Sequence, residues 1–312
     1  MLGEQKKEFK NGRIDKHQYI KEMFNVHKHL FEYPSLINDS PITKIEITKE
    51  QVTFTVRNGE NSIKLCCDER DAYSLPMIFL NLSETETEEQ AMILKLIKPG
   101  DFVLDIGANI GWYTISILLE RKGVSVYSFE PIKSSFHYLK QNLKLNNLNS
   151  DKVHNIGFSD ENKTIKFYFD VEFAMASSMA NLRENEETVT EECVVKRLDD
   201  FVSATPSLRR IDFIKCDVEG AELFVFKGAI ETIRKDKPII FTEMLRKWAG
   251  KFNYHPNQII SLLKDLGYRC FTIYNGGLKE FFEMDDNTVE TNFFFLHEEQ
   301  MGQLLEICDR TL

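Results

Sequence analysis

Apolar and polar positions recur along this chain with two different periods, and the switch between them divides it. Residues 13–33 carry Ile14, Tyr19, Ile20, Met23, Phe24, Leu30 and Phe31 at roughly helical spacing, which predicts a helix ended by Pro34. After the turn-rich NDSP, KIEIT and VTFTV alternate with period two, and SIKLCC follows Arg57-Asn58-Gly59. Such alternation around an Asn-Gly turn predicts a small antiparallel sheet or hairpin. Thr85 and Glu88 form a capping box before AMILKLI, a second helix closed by Pro99-Gly100. Residues 1–83 therefore read as an N-terminal helix and small antiparallel sheet, a cap or a dimer contact. A larger domain is expected over 84–312.

From residue 101 short apolar runs alternate with amphipathic ones. FVLDIG, VSVYSFEP, KVHNIGFSD, IDFIKCD and PIIFTEM are predicted strands. WYTISILLERKG, SSFHYLKQNLKLNN, AELFVFKGAIETIRK and PNQIISLLKDLG are predicted helices between or after them. IKFYF reads as a hairpin strand, the acidic 183–192 stretch as a solvated loop, and YRCFTIY, LKEFF and TNFFFLH as closing strands. Strands alternating with helices predict an α/β fold around a parallel sheet with right-handed crossovers. Two neighbouring strands near the end, with no helix between them, predict an antiparallel terminal pair.

Composition narrows the function classes without choosing one. The chain has 312 residues, 42% of them apolar, and a formal charge of −10. No basic block follows a phosphate backbone, so nucleic acid is not the expected partner. The start lacks a signal-peptide stretch, and no apolar run is long enough for a membrane span. The six cysteines show no zinc-ligand spacing, which predicts reduced structural thiols in a cytoplasmic protein and no metal site.

Three features at predicted strand ends carry chemistry. Asp105-Ile-Gly107-Ala-Asn109-Ile-Gly111 lies between a strand and a helix, where glycines let the backbone turn tightly and approach a ligand. It is not the G-x-G-x-x-G of a dinucleotide site, and Asp105 at the strand end suits an ammonium better than a pyrophosphate. Glu130 closes the second strand, where a carboxylate accepts from both hydroxyls of a ribose. Gly157-Phe158-Ser159-Asp160 ends the third, where a base edge can be read and its ring packed on Phe158. Together they describe an adenosine carrying an amino acid, S-adenosylmethionine. A nicotinamide- or flavin-binding Rossmann domain is the alternative. Trp112 and Tyr113 either wall this pocket or pack in the core.

A resemblance extends this reading. Phe213-Ile-Lys215-Cys-Asp217-Val-Glu219-Gly220-Ala-Glu222, followed by Lys227-Gly228-Ala229, resembles the signature of FkbM-type methyltransferases. PGDFVLDIGANIGWYT, Arg197-Leu198-Asp199-Asp200 and Pro238-Ile-Ile-Phe-Thr-Glu243 resemble it too, so the likeness spans about 95–270. It implies a class I methyltransferase Rossmann-like fold, a mostly parallel seven-stranded sheet with an antiparallel last strand, behind an N-terminal helix/β-hairpin extension. It also implies O-methylation of sugars, glycolipids, polyketides or related metabolites, with Asp105, Gly107, Asn109, Glu130 and Ser159 at cofactor-binding positions.

An alcohol is a poor nucleophile, so a general base is expected at a strand end beside the cofactor. Asp217 is the first candidate, with Glu243 orienting the acceptor. Lys215 lies two residues before Asp217, on the same strand face, and balances these charges. His255 can reach the acceptor or simply cap the helix after it. Glu219 and Glu222 either join the site or favour a helix dipole. Asp217 and Glu243 holding a divalent cation for a diol or phosphate is a further alternative. The expectation is an O-methyltransferase of a carbohydrate or glycoconjugate hydroxyl. A polyketide or amine acceptor, or a non-catalytic cofactor-binding module, are the other readings.

Overall fold

In the computed structural model, which describes residues 2–82, 87–169 and 189–304, the N-terminus is helical. It forms α1 (Leu2–Lys10), α2 (Lys16–His27), a 3₁₀ turn (Lys28–Phe31) and α3 (Tyr33–Asn38). Asp15 caps α2 by accepting from the Gln18 N–H. Pro34 does not end the predicted helix but stands in the first turn of α3, where its missing N–H removes no helical hydrogen bond. The expected antiparallel sheet follows as β1 (Ile42–Ile47), β2 (Val52–Asn58) and β3 (Asn61–Leu65). Two helices come next, α4 (Leu75–Leu82) and α5 (Thr87–Leu96); Thr85 of the expected capping box lies outside the described residues.

The α/β region begins with β4 (Phe102–Ile106), α6 (Trp112–Glu120), β5 (Ser125–Phe129), α7 (Lys133–Leu145) and β6 (Val153–His154). A side sheet interrupts it: β7 (Gly157–Phe158), β8 (Lys163–Phe169) and β9 (Val189–Lys196). KVHNIGFSD is thus split between two sheets. The end of the acidic stretch, expected to be loop, pairs as β9 with β8, while 183–188 lies outside the described residues. Then come α8 (Leu198–Ser203), β10 (Phe213–Cys216), α9 (Glu222–Lys227), α10 (Ile230–Asp236) and β11 (Ile239–Glu243). The helix predicted after β10 is divided at Gly228, a position that must be glycine because a Cβ there would lie 2.1 Å from the Ser159 carbonyl oxygen. The chain continues through α11 (Arg246–Lys251), α12 (Asn257–Lys264), β12 (Tyr268–Tyr274), β13 (Gly277–Phe281), β14 (Asn292–His297) and α13 (Met301–Leu304).

The main sheet has the order β13-β12-β14-β11-β10-β4-β5-β6. Strands β6, β5, β4, β10 and β11 are parallel, and β14 runs antiparallel between β11 and β12. This is the expected fold class, a mostly parallel sheet with its last strand reversed, plus one strand, because LKEFF adds β13 as a hairpin on β12. Both faces are covered, so successive residues bury on opposite sides. Val103, Phe213, Phe241 and Phe294 face one cluster; Leu104, Ile214, Ile240 and Phe295 face the other. Ile42, Phe54, Val56, Ile63 and Leu65 of β1–β3 belong to the first cluster, whereas α1–α3 bury no residue. Cys66, Cys193, Cys216 and Cys270 are buried free thiols; Cys308 lies outside the described residues. Among the described residues no helix is long and apolar enough to cross a membrane.

Candidate active site

The chain leaves β4 for β5 and β6 on one side, and β10 and β11 lie on the other. This topological switch point opens a crevice at the carboxyl ends of β4 and β10. The turn after β4 can pack against the turn after β10 only because Gly107 has no side chain. Its φ is +77°, and a Cβ would lie 1.8 Å from the Asp217 carbonyl oxygen. The N–H groups of Gly107 and Ala108 both donate to the Phe129 carbonyl at 3.0 Å. Asn109, with φ +47°, donates its N–H to Glu130 Oε2 at 2.9 Å. The Ile132 N–H donates to Glu130 Oε1 at 2.9 Å. The end of β5 therefore latches the glycine turn. Glu130 is buried, and desolvation pushes its carboxyl up to about 7, against the lowering effect of the two N–H groups and Lys215.

A cavity lies at this point, walled by Gly107, Asn109, Glu130, Pro131, Gly157, Phe158, Asp217 and Glu219 among others. A buried carboxylate, an aromatic ring and a glycine turn on one wall suit the ribose, base and tail of an adenosine bearing an amino acid. Phe158 is fixed edge-on against Phe129 and Phe201. Of the residues expected at the cofactor, Gly107, Asn109, Glu130 and Phe158 meet here. Asp105, Gly111 and Ser159 are not on this wall. The Asp105 carboxylate is sealed at 0% exposure, accepting from Thr114 Oγ1 and lying 3.5 Å from Lys215 Nζ. Gly111 starts α6 against Leu139. Buried Ser159 donates its N–H to Lys196 and its hydroxyl to Asp160.

The opposite wall is built by β10. Its register sets Lys215 beside Asp105 of β4 and Phe241 of β11. The nearly buried Lys215 ammonium donates to the Gly107 carbonyl at 2.8 Å and lies 3.4 Å from Asp217 Oδ2. It thus ties the glycine turn to Asp217, as well as balancing charge. Asp217, Glu219 and Glu243 follow, each partly exposed, with one carboxylate oxygen of each within 4.8 Å of the others. The expected pairing of Asp217 with Glu243 therefore gains Glu219, whose φ of +56° turns it out of the helix-dipole position.

His255 is exposed, and its Nδ1 accepts from the Asn257 N–H at 3.2 Å, the capping alternative. Trp112 packs edge-on against Phe79, and Tyr113 packs against Phe241 under Lys215, so both are core residues. Two groups were not foreseen in their observed roles. Glu222, buried with its carboxyl pushed up to about 7 by desolvation, accepts from the Val218 and Gly220 N–H groups. Tyr254 donates to the Gly220 carbonyl. Only the position of Glu222 at a helix start signalled it; nothing around Tyr254 did.

A family model described as the Methyltransferase FkbM domain matches residues 105–270. Methyltransferase 1 of Beauveria bassiana is 29% identical over 143 residues, 41% of this chain and 57% of that protein. The 31-O-demethyl-FK506 methyltransferase FkbM of Streptomyces tacrolimicus is 27% identical over 161 residues, 42% of this chain and 60% of that one. The 2-O-methyltransferase NoeI of Sinorhizobium fredii is 29% identical over 161 residues, 47% and 65% of the two chains. The chain thus spans less than two thirds of each of these three relatives. A solved methyltransferase FkbM from Methylobacillus flagellatus aligns with TM-score 0.40 at 18% identity, covering 73% of this chain and 55% of that one.

Proposed function

This chain belongs to the FkbM methyltransferase family, and from that premise we propose that it methylates a hydroxyl of a carbohydrate or glycoconjugate. It is a methyltransferase, and its cofactor is S-adenosylmethionine. The observation that carries the acceptor reading is the convergence of Asp217, Glu219 and Glu243 within 4.8 Å beside the cofactor cavity. Carboxylates only accept hydrogen bonds, and a polyol offers several adjacent O–H donors to such a group. Transfer to oxygen also agrees with the names of the Streptomyces and Sinorhizobium relatives.

The cofactor supplies an activated methyl group on a sulfonium, so no covalent enzyme intermediate is required. Glu130 would accept the ribose hydroxyls of that cofactor, and Phe158 would pack beside its base. Asp217 Oδ2 faces Lys215, which leaves Oδ1 to take the proton of the acceptor hydroxyl. Glu243 orients the acceptor, and alignment contributes up to about 7–11 kcal/mol of barrier lowering. The acceptor is expected to be a small molecule or glycan, in keeping with the charge of −10. Free thiols at the described cysteines, together with the lack of zinc-ligand spacing in the sequence, support a cytoplasmic setting.

The test is S-adenosylhomocysteine release across a panel of sugar nucleotides, oligosaccharides and polyols. Asp217→Asn is expected to keep affinity for S-adenosylhomocysteine and to lose turnover by about 10²–10⁴-fold. Wild-type turnover in that variant removes Asp217 from the mechanism. No binding of S-adenosylhomocysteine by the folded protein removes the whole reading. The same carboxylate spacing favours a second reading, a divalent cation between Asp217, Glu219 and Glu243. Turnover lost in EDTA and restored by Mg²⁺ would establish it.

A further inference from the structure

The turn between β10 and α9 places Asp217 and Glu219 in the crevice, yet its backbone is strained. Glu219 and Gly220 both have positive φ, +56° and +97°. A non-glycine residue in the left-handed region persists only where its surroundings hold it. A buried carboxyl is one of the groups that do so here. Glu222, 2% exposed and absent from the cavity wall, folds back so that Oε1 accepts from Val218 N–H at 3.1 Å and Gly220 N–H at 3.0 Å. These two amides flank Glu219, so fixing both fixes the direction in which Glu219 leaves the backbone. On the far side, the Tyr254 hydroxyl donates to the Gly220 carbonyl at 2.9 Å and lies 3.2 Å from Glu222 Oε2.

We propose that Glu222, with Tyr254 behind it, is a positioning residue of the methyl transfer site: it clamps the Val218–Gly220 turn and thereby aims Asp217 and Glu219 at the acceptor. The inference rests on the methyltransferase reading of the crevice and adds residues that touch neither reactant. The Tyr254 hydroxyl, within donating distance of both the Gly220 carbonyl and Glu222 Oε2, closes the clamp from behind. Burial pushes the Glu222 carboxyl up and the nearby Asp217 carboxylate adds to this, while the Val218 and Gly220 N–H groups oppose it.

The clamp makes a sharp distinction between two substitutions. In Glu222→Gln the amide oxygen accepts the same two N–H groups and the amide nitrogen donates to Tyr254, so the clamp survives. In Glu222→Ala both amides lose their acceptor. The experiment compares these variants with wild type by amide hydrogen exchange, S-adenosylhomocysteine calorimetry and methyl transfer from S-adenosyl-[methyl-³H]methionine to the sugar and polyol panel. Glu222→Gln is expected to retain protection at Val218 and Gly220 and to retain turnover. Glu222→Ala is expected to lose protection at those two amides and to lose kcat by about 10²-fold, the cost of a misplacement near 1 Å. Affinity for S-adenosylhomocysteine is expected to change far less than kcat. Undiminished protection in folded Glu222→Ala, or equal losses in the Gln and Ala variants, overturns the proposal. So does a fall in cofactor affinity as large as the fall in kcat. If wild type binds S-adenosylhomocysteine but methylates nothing in the panel, the acceptor reading fails instead, and the exchange comparison still decides the clamp.

Discussion

Lys215→Met is the substitution that tests the site's construction most directly. The lysine side chain is 3% exposed and its charge partner Asp105 is 0% exposed, so neither is screened by water. Methionine preserves the apolar stem but removes the donor to the Gly107 carbonyl and the cation 3.5 Å from Asp105 Oδ1. Asp105 then keeps the Thr114 hydroxyl on Oδ2, with Oδ1 left as a buried charge without hydrogen bond or counter-ion. Removing one partner of a buried pair costs about 3–5 kcal/mol. At roughly 2 °C per kcal/mol for a chain of this size, the melting temperature falls by roughly 6–10 °C. Urea unfolding measures the free energy, and Asp105→Asn in the Met background supplies the control. Neutralising the stranded carboxylate is expected to recover about half of the loss or more, a coupling visible in the double-mutant cycle. A loss below about 1 kcal/mol, or no recovery in the double variant, refutes the claim that this pair holds the two strand ends together.

Glu130 gives opposite pH slopes for stability and for binding. Its folded-state value of about 7 exceeds the ordinary 4.5, so the stability it contributes is full below 4.5 and is lost as pH rises through 7. The charged form is the better acceptor for ribose hydroxyls, so S-adenosylhomocysteine affinity is expected to rise through pH 7 with proton release. Calorimetry in two buffers reads both effects, and Glu130→Gln is expected to abolish the release. Gly107→Ala forces a Cβ to 1.8 Å from a carbonyl oxygen at φ +77°, so a loss of about 2–5 kcal/mol and of cofactor binding is expected in melting and binding assays. Removing residues 1–31, of which none of the described residues 2–31 is buried, is expected to leave the melting temperature nearly unchanged. Removing 1–65 strips Ile42, Phe54, Val56, Ile63 and Leu65 from a shared core and is expected to give insoluble protein, scored by sedimentation.

What could be read in the sequence was what local chemistry dictates. The strands of the main sheet were legible because burial on both faces makes them continuous apolar runs, as in FVLDI and NFFFLH. The glycine turn and Glu130 were legible because a backbone that must turn sharply requires particular residues at fixed spacing. Asp105 shows the limit of that reading. A carboxylate at the strand end was expected to meet the ligand, but whether it faces the crevice depends on Lys215, 110 positions later in the chain. The need for glycine at 228 was hidden for the same reason, since it answers to the close approach of the Ser159 carbonyl. Tyr254 had no local mark at all, because its hydroxyl acts on a turn distant in sequence.

The N-terminal sheet shows how such remote contacts join a segment without readable chemistry to the site. Just after its last strand, the Cys66 N–H donates to Asn142 Oδ1 on α7 at 2.8 Å, while Asn142 Nδ2 donates to the Cys66 carbonyl at 3.1 Å. The same amide nitrogen donates to the Ile110 carbonyl, inside the glycine turn, at 2.8 Å. Asn142 is fully buried, so these bonds are made without competition from water. A second tie runs from Asn58 on β2 to Ser116 on α6, which Gln90 of α5 also reaches. Helices α6 and α7 flank the glycine turn, and the N-terminal sheet therefore bears on the cofactor wall from behind. A ligand that relies on backbone approach to a glycine turn needs that turn held still, because a small displacement removes the contact altogether. The buried polar bonds and the shared apolar core tie β1–β3 to the helices that flank that turn.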